Sequence, residues 1–230
     1  MVNDLDQVSV VIPVLNDRSN LEVLLRSLTP FQELEIVVVD GGSNEGSIHE
    51  PQQAVRLLRT ERGRALQLSA GVASTQRPWL WFLHADSVVT RTVVEALELE
   101  LAGAQWGRFD ITLSRDTPWF RLIAAAMNKR SAMTSICTGD QGIFVRRALL
   151  ERIGGIPDQP LMEDIELSKR LRRLAKPTRI RTLLGTSSRR WENDGTVRTI
   201  LLMWELRVRY FFGTSPEALA ARYYPDGRWV

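Results

Sequence analysis

The sequence is poor in cysteine and has no long hydrophobic run. Cys137 is the only cysteine, so no intrachain disulfide can form and nothing indicates an oxidising compartment. The longest apolar runs are far shorter than a membrane-spanning helix. The acidic, polar N-terminus also differs from a secretory leader. We therefore expect a cytoplasmic protein.

Lysine is also scarce. Only Lys129, Lys169 and Lys176 are lysines among 30 basic residues, and the formal net charge is +3. Arginine has a planar fork that suits bidentate phosphate contacts, although a genomic bias toward arginine codons gives the same composition. The arginines alternate with acids along most of the chain instead of forming one basic stripe. A nucleic-acid partner is therefore not expected.

Strand and helix patterns alternate over the first part of the chain. Apolar, β-branched runs bounded by polar residues predict strands at 8–14, 35–40, 55–58 and 79–83. Helical periodicity between them, as in residues 21–28, predicts βαβ units. This order predicts an α/β fold with a mostly parallel central sheet flanked by helices. At 230 residues, we favour a single domain.

The end of the fourth predicted strand carries candidate metal ligands. In His84-Ala85-Asp86 a carboxylate appears where the chain leaves a buried strand, the edge at which open α/β sheets bind ligands. Such a carboxylate suits a divalent cation, and His84 can join it as the chain turns. The alternatives are that Asp86 caps the next helix and that His84 is a core histidine. A metal at Asp86 would indicate a phosphate-containing substrate.

Two earlier strand ends carry similar polar groups. Asn16 and Asp17 follow the first strand, and Asp40 ends the second strand just before Gly41. A carboxylate there can accept a hydrogen bond from a nucleotide base or a ribose hydroxyl, whereas the alternative is a cap on a glycine turn. The repetition at successive strand ends favours a nucleotide site.

Two arginines begin the helix that follows the third predicted strand. Arg62 and Arg64 lie where backbone N–H groups and the helix dipole favour an anion, so they are candidate pyrophosphate contacts. The alternative is that both are solvated surface residues. The glycine-containing loop at 41–46 matches neither the dinucleotide fingerprint nor a P-loop, which disfavours both of those classes.

A later helix begins with the acids Glu163, Asp164 and Glu166. Acids in a first turn commonly serve the helix dipole. However, activation of a hydroxyl near the phosphates needs a carboxylate or histidine, and the two histidines are poorly placed for that role. This reasoning makes Asp164 the leading candidate for a general base.

These residues, in this order, resemble family 2 glycosyltransferases of the GT-A fold over nearly the whole chain. The resemblance is carried by the first strand at 10–17, VVDGGS at 38–43, FLHAD at 82–86 in place of D-x-D, GGIP at 154–157 and EDIEL at 163–167. The segments at 62–67, 82–86 and 188–191 are similar to a small bacterial subgroup, some of whose members are named as carotenoid glycosyltransferases.

The resemblance implies inverting, non-processive sugar transfer from a nucleoside-diphosphate sugar, with UDP expected, to an acceptor hydroxyl. It implies Mg²⁺ or Mn²⁺ at Asp86, with His84 as a weaker second ligand, and Asp164 as the base. Its implied nucleotide contacts are Pro13, Asn16, Asp17, Asp40, Arg62, Arg64 and Asp86. Its implied acceptor contacts are Gly139, Asp140, Glu163, Arg190 and Trp191. The nucleotide half would span about 1–115, the acceptor half about 116–190 and a helical segment about 191–230 of one GT-A domain.

The chain departs from the family pattern at three positions. His84 replaces the first acid of D-x-D, so metal binding is expected to rest mainly on Asp86. Gly41 follows Asp40 where the family has a second acid. Ser187 replaces the glutamine of the Q-x-x-R-W motif of processive synthases, which favours one transfer per encounter.

The C-terminal segment is rich in aromatic residues. Helical periodicity over 197–212 predicts one apolar stripe, formed by Ile200, Leu201, Trp204, Val208 and Phe211. Such a stripe fits a core helix or a homodimer contact. Alternatively, it fits a lipid or carotenoid-like acceptor, or peripheral contact with the inner face of a membrane.

Two other functions share this chemistry. A sugar nucleotidyltransferase also needs a nucleotide and a metal, but it should carry a glycine-rich loop after its first strand, which residues 14–18 do not provide. A non-catalytic protein that binds nucleotide sugars on the same scaffold is the other alternative, because His84 replaces an acid of D-x-D.

Overall fold

The structure is a computed structural model that describes residues 4–44, 55–189 and 195–224. Its strands are β1 (Val8–Val14), β2 (Glu35–Asp40), β3 (Val55–Arg59), β4 (Trp79–Phe82), β5 (Trp106–Leu113), β6 (Phe144–Arg146) and β7 (Thr178–Thr186). They form one seven-stranded sheet in the order β3-β2-β1-β4-β6-β5-β7. Strand β6 runs antiparallel to both neighbours, and the other pairs are parallel. The expected α/β fold with a mostly parallel sheet is confirmed.

Helices cover both faces of this sheet. They are α1 (Arg18–Leu28), α2 (Arg64–Ala73), α3 (Arg91–Leu101), α4 (Pro118–Thr134), α5 (Arg147–Arg152), α6 (Glu163–Leu171), α7 (Thr196–Phe211) and α8 (Pro216–Tyr223). Because side chains alternate along a strand, Val10 and Ile12 of β1 pack with α1 and α3, whereas Val11 packs with α2 and α6. No helix in the described ranges is both long and apolar enough to cross a bilayer.

Helix α2 packs unusually close to the sheet. A Cβ atom added at Gly71 would lie 2.3 Å from Cγ1 of Val11 and 3.2 Å from Cγ2 of Val39. Only glycine therefore allows this approach of the helix to β1 and β2. The close packing brings the start of α2 to the carboxyl edge of the sheet.

The second half of the chain contains elements that sequence periodicity did not predict. Helix α4 is missed because its apolar side chains lie on more than one face, so that Phe120 is buried while Leu122 is exposed. Strand β7 is missed because its alternation of polar and apolar residues is short and ends in Leu-Leu-Gly, which breaks the period of two. Both elements flank β5 and complete that side of the sheet.

A buried asparagine closes an open stretch of β5. On β5, the short strand β6 pairs with Trp106 and Gly107 alone, so among the described residues the rest of that edge of β5 has no strand partner. Asn128 of α4 fills the gap: the Ile111 backbone N–H donates to its Oδ1 at 2.9 Å, and its Nδ2 donates to the Ile111 carbonyl at 3.0 Å. This amide therefore imitates a missing strand.

We expect Asn128→Ala to lower the free energy of unfolding by about 2–4 kcal/mol, because it leaves two buried backbone groups unpaired. Urea denaturation monitored by circular dichroism measures this change. The matched control is Leu99→Ala at a side chain that is 81% exposed on α3, where a loss below about 0.5 kcal/mol is expected. Equal effects of the two substitutions would contradict the role of Asn128.

Candidate active site

The predicted polar strand ends meet at one edge of the sheet. Strands β1 and β2 are in register up to Val14 and Asp40, and β4 runs parallel to β1 on its other side. The loops that follow these three strands therefore leave the sheet at its carboxyl edge, where α/β proteins bind ligands.

Hydrogen bonds hold the first two loops together. Asp40 Oδ1 accepts from the backbone N–H of Ser43 at 2.9 Å and from its hydroxyl at 2.6 Å. The Asn16 N–H donates to Ser43 Oγ at 2.9 Å, and Asn16 Oδ1 accepts from the Asn44 N–H at 2.9 Å. Asp40 thus caps its glycine turn, and the cap fixes one loop against the other.

Gln67 on α2 holds the same edge of the sheet together. Sequence analysis did not predict it as a site residue. This buried amide on α2 donates from Nε2 to the carbonyls of Val14 at 2.8 Å and Val39 at 2.7 Å, the ends of β1 and β2. Gly41 lies against it, since an added Cβ there would be 3.0 Å from the Gln67 amide. A polar residue on the apolar face of a predicted helix was the available sequence signal.

A half-buried arginine connects the start of α6 to the segment that follows β4. Arg64 Nε lies 3.2 Å from Glu163 Oε1, and Arg64 Nη2 forms a hydrogen bond with His84 Nε2. Burial lowers the pKa of Arg64, but Glu163, Asp164 and Asp140 outweigh it, so the guanidinium stays charged. Burial and the adjacent Arg64 hold the pKa of His84 well below its usual range. The imidazole is therefore neutral and accepts from Arg64.

This arrangement bears on two sequence predictions. His84 Nε2 faces Arg64, so that nitrogen is not available as a metal ligand, which favours Asp86 over His84. Arg64 is held by Glu163 and His84 instead of extending freely toward a pyrophosphate. In the structure, Arg64 joins Glu163 at the start of α6 to His84 after β4.

Asp164 lies at the start of α6 with both carboxylate oxygens anchored. The Gly139 N–H donates to Oδ2 at 2.8 Å, and the Ile165 N–H donates to Oδ1 at 2.7 Å. Its neighbour Glu163 is buried: burial raises the pKa of Glu163, Arg64 opposes the rise and Asp164 adds to it. The two adjacent acids therefore have different environments: Glu163 contacts Arg64, whereas Asp164 contacts the backbone N–H of Gly139.

Asp86 has the properties of a cation ligand. Its Oδ1 is sealed from solvent and has no hydrogen-bond partner among the described residues. Burial raises its pKa, and the carboxylates of Asp17 and Asp140 raise it further, while Arg189 opposes them. Asp140 Oδ1 is sealed and unpaired in the same way. A divalent cation would relieve this crowding of acids, so the residues present fit a metal.

The described residues contain no group of three metal-ligating side chains. Asp86 alone, or Asp86 with Asp140, would hold a cation through few protein bonds. Divalent ions at phosphate sites are commonly bound by one or two carboxylates together with substrate phosphates. The arrangement therefore suits a cation that arrives with a diphosphate.

Two arginines from the C-terminal half of the chain, Arg130 and Arg189, interact with acids of the site. Sequence analysis did not predict either of them as a site residue. Arg189 Nη2 donates to both carboxylate oxygens of Asp17, at 3.0 and 2.9 Å. Arg130 on α4 has two guanidinium nitrogens sealed from solvent without a hydrogen-bond partner. Burial and the nearby Arg207 lower the pKa of Arg130 to about 10, against the opposing effect of Asp140.

Two of the predicted residues that the structure describes are not brought into this cluster. Arg62 is exposed, and Pro13 lies within β1 opposite Val39 of β2. Arg190 and Trp191 lie outside the described residues. The site residues that do cluster lie at the ends of β1, β2 and β4, in the turn at Gly139 and at the start of α6.

Comparison with known proteins identifies the family of this chain. A model of glycosyl transferase family 2 matches residues 9–151, so the chain belongs to that family. The probable glycosyltransferase YdaM of Bacillus subtilis (strain 168) is 26% identical over 243 residues, covering 93% of this chain and 56% of YdaM. The chain thus spans about half the length of that curated relative.

Solved structures share the fold at low sequence identity. TarS of S. aureus in complex with UDP-GlcNAc is 16% identical, with a TM-score of 0.64 over 78% of this chain and 58% of that chain. The mannosyltransferase PcManGT from Pyrobaculum calidifontis, in complex with GDP-Man and Mn²⁺, is 21% identical, with a TM-score of 0.63 over 95% of this chain and 69% of that chain. These likenesses confirm the expected GT-A fold.

We expect Gly139→Ala to destabilise the protein by about 1–3 kcal/mol, because the added methyl group overpacks the buried cluster. It would lie 1.6 Å from Arg64 Nη2 and 2.6 Å from His84 Nε2. Thermal unfolding measures the loss, and Gly103→Ala, with no atom within 4 Å, is the matched control. The cost of Gly139→Ala should shrink in an Arg64→Ala background, and an unchanged cost there would refute the contact.

Proposed function

We propose that this protein is an inverting, non-processive, metal-dependent glycosyltransferase that moves a sugar from a UDP-sugar to an acceptor hydroxyl. The observation that carries the proposal is the cluster of carboxylates at the carboxyl edge of the sheet. Asp86 offers a sealed, unpaired oxygen, and Asp164 is fixed by backbone N–H groups. Both interact electrostatically with Asp140, so they belong to one site.

Asp164 is the proposed general base. Each of its oxygens accepts one backbone N–H and keeps a further lone pair that can take a proton. As the acceptor oxygen bonds to the anomeric carbon, the bond from that carbon to the diphosphate oxygen breaks. The nucleoside diphosphate leaves with the electron pair, and the acceptor proton passes to Asp164. Attack from the face opposite the leaving group inverts the anomeric configuration.

The donor side is assigned to the first two loops and to Asp86. Asn16 and Asp40 hold their loops rigidly, which suits a bound nucleoside. A bound Mg²⁺ or Mn²⁺ supplies Lewis-acid stabilisation of the departing diphosphate. Asp86, and with it Asp140, would hold that ion. The Mn²⁺ in the PcManGT structure supports a divalent ion here. PcManGT binds GDP-Man whereas TarS binds UDP-GlcNAc, so the preferred nucleotide has to be measured directly.

We expect Asp164→Asn to lower nucleotide release from the donor sugar by about 10²–10⁴-fold, because the amide cannot take a proton. Its carbonyl oxygen can still accept from Gly139 but its NH2 group cannot accept from Ile165, so we expect the melting temperature to fall by a few degrees with the fold retained. Asp158→Asn, at an exposed position, is the control that should keep full activity. Wild-type turnover in the Asp164→Asn protein would sink the base assignment.

We expect UDP with Mn²⁺ to raise the melting temperature more than either compound alone, and more than GDP with Mn²⁺. At a ligand concentration a hundred times Kd, the stabilisation is about 2.7 kcal/mol. Asp86→Asn should remove the part of the shift that depends on Mn²⁺ and keep the part due to UDP alone. A metal-dependent shift that survives this substitution would show that Asp86 is not the main ligand.

A further inference from the structure

Helix α7 exposes a row of large apolar side chains. Leu201 is 65% exposed, Trp204 66%, Val208 49% and Phe211 82%, and Phe212 at the end of the helix is 79% exposed. We call these five residues the α7 stripe. Soluble proteins rarely leave so many neighbouring aromatic and aliphatic side chains in water without a use for them. The alternative of a core helix is therefore wrong for this face of α7.

The α7 stripe lies opposite the face that attaches the helix to the protein. At ~100° per residue, its members fall within an arc of about 100°, roughly half a turn away from Leu206. Leu206 is fully buried against Met162 and Ile165, which flank the start of α6. Tyr210 strengthens the attachment, because its hydroxyl donates to Glu166 Oε2 at 3.0 Å. The helix is thus fixed to the body with its apolar stripe outward.

Positive charge flanks the stripe on both sides. On the same ~100° spacing, the exposed Arg198 and Arg209 lie beyond one edge, and Arg207 lies beyond the other, where it is half-buried and also acts on Arg130 and Asp140. The only acid of α7, Glu205, is within 2.9 Å of Arg209 and within 2.8 Å of Arg222 from α8. The negative charge beside the stripe is therefore neutralised, and the flanking surface is basic.

The neighbouring helix α4 has the same character. It packs against α7 where Ile200 contacts the cluster of Phe120, Ile123 and Ala124. It exposes Trp119 and Leu122, and it contains three basic residues and no acid. Arg121 is paired with Asp116 and Arg130 is largely buried, so Lys129 is the exposed basic charge that α4 adds beside these apolar groups.

We propose that α7 is a membrane-interface helix, whose stripe enters the headgroup and acyl boundary of a bilayer that contains anionic phospholipid. Tryptophan and phenylalanine on the apolar face, with arginine along both edges, are typical of helices that lie in this interface. The arginine stems can extend along the apolar region while their guanidinium groups reach the lipid phosphates. A second copy of the chain would present the same basic edges and repel the first, so a bilayer is the better occupant.

The orientation also bears on the acceptor. Because α7 is fixed to the start of α6, membrane binding holds Asp164 and the acceptor side of the site close to the bilayer. An acceptor hydroxyl carried by an amphiphile in the membrane would then reach the site without leaving the lipid. This step rests on the proposed transferase function, whereas membrane binding does not.

The test is co-sedimentation of the purified protein with vesicles of phosphatidylcholine, alone and mixed with phosphatidylglycerol. Wild type should bind the mixed vesicles, and binding should weaken with salt. The double variant Trp204→Ser/Phe211→Ser should bind at least about tenfold more weakly. Arg198→Gln should weaken binding about fivefold. Leu99→Ser, at an 81% exposed side chain on α3, is the matched control and should bind like wild type.

Several results would overturn the proposal. They are absence of binding to the mixed vesicles, equal binding to both kinds of vesicle, or wild-type binding by the Trp204→Ser/Phe211→Ser protein. A lipid-free dimer in light scattering that this double variant dissociates would assign the stripe to a second copy instead. Nucleotide release measured without vesicles should be unchanged in the double variant, so a failure of membrane binding and a failure of sugar transfer are distinguished.

Discussion

The site depends on one partly buried positive charge, that of Arg64. Placing a guanidinium in the protein interior is costly unless partners surround it, and Arg64 finds them in Glu163 and His84. These partners come from the start of α6 and the end of β4, so satisfying the charge brings the two halves of the site together. The same crowding explains why Gly139 must lack a side chain. Glycine at that position in turn lets the backbone reach Asp164.

Buried polar side chains have a similar role elsewhere in the fold. Gln67 binds the carbonyls at the ends of β1 and β2, and Asn128 binds the backbone of β5 beyond the short strand β6. Asn128 satisfies backbone groups of β5 that β6 does not reach, whereas Gln67 is a second donor to the Val14 carbonyl, which also accepts from the Gly41 N–H. The Gln67 contacts hold together the ends of β1 and β2, beside Asp40, and the Asn128 contacts hold α4 against β5.

The first half of the fold was predictable because its signals are local. Strands β1 to β4 are short apolar runs between polar residues, and Asp40 and Asp86 follow from their positions at strand ends. Helix α4 was not predictable in the same way, since its buried face includes Asn128 and its exposed face includes Trp119. The segment with Arg190 and Trp191 lies outside the described residues, so their predicted acceptor role stays a prediction.

The sequence by itself determined the class of fold, the family and the carboxylates on which the proposed chemistry rests, because strand periodicity and short motifs are properties of neighbouring residues. Only the tertiary structure decided that His84 faces Arg64 instead of a metal, that Asp140 joins the acidic cluster, and that the apolar stripe of α7 points to solvent. Those outcomes depend on contacts between residues far apart in the chain. No local pattern specifies which side chain a buried charge will find as its partner.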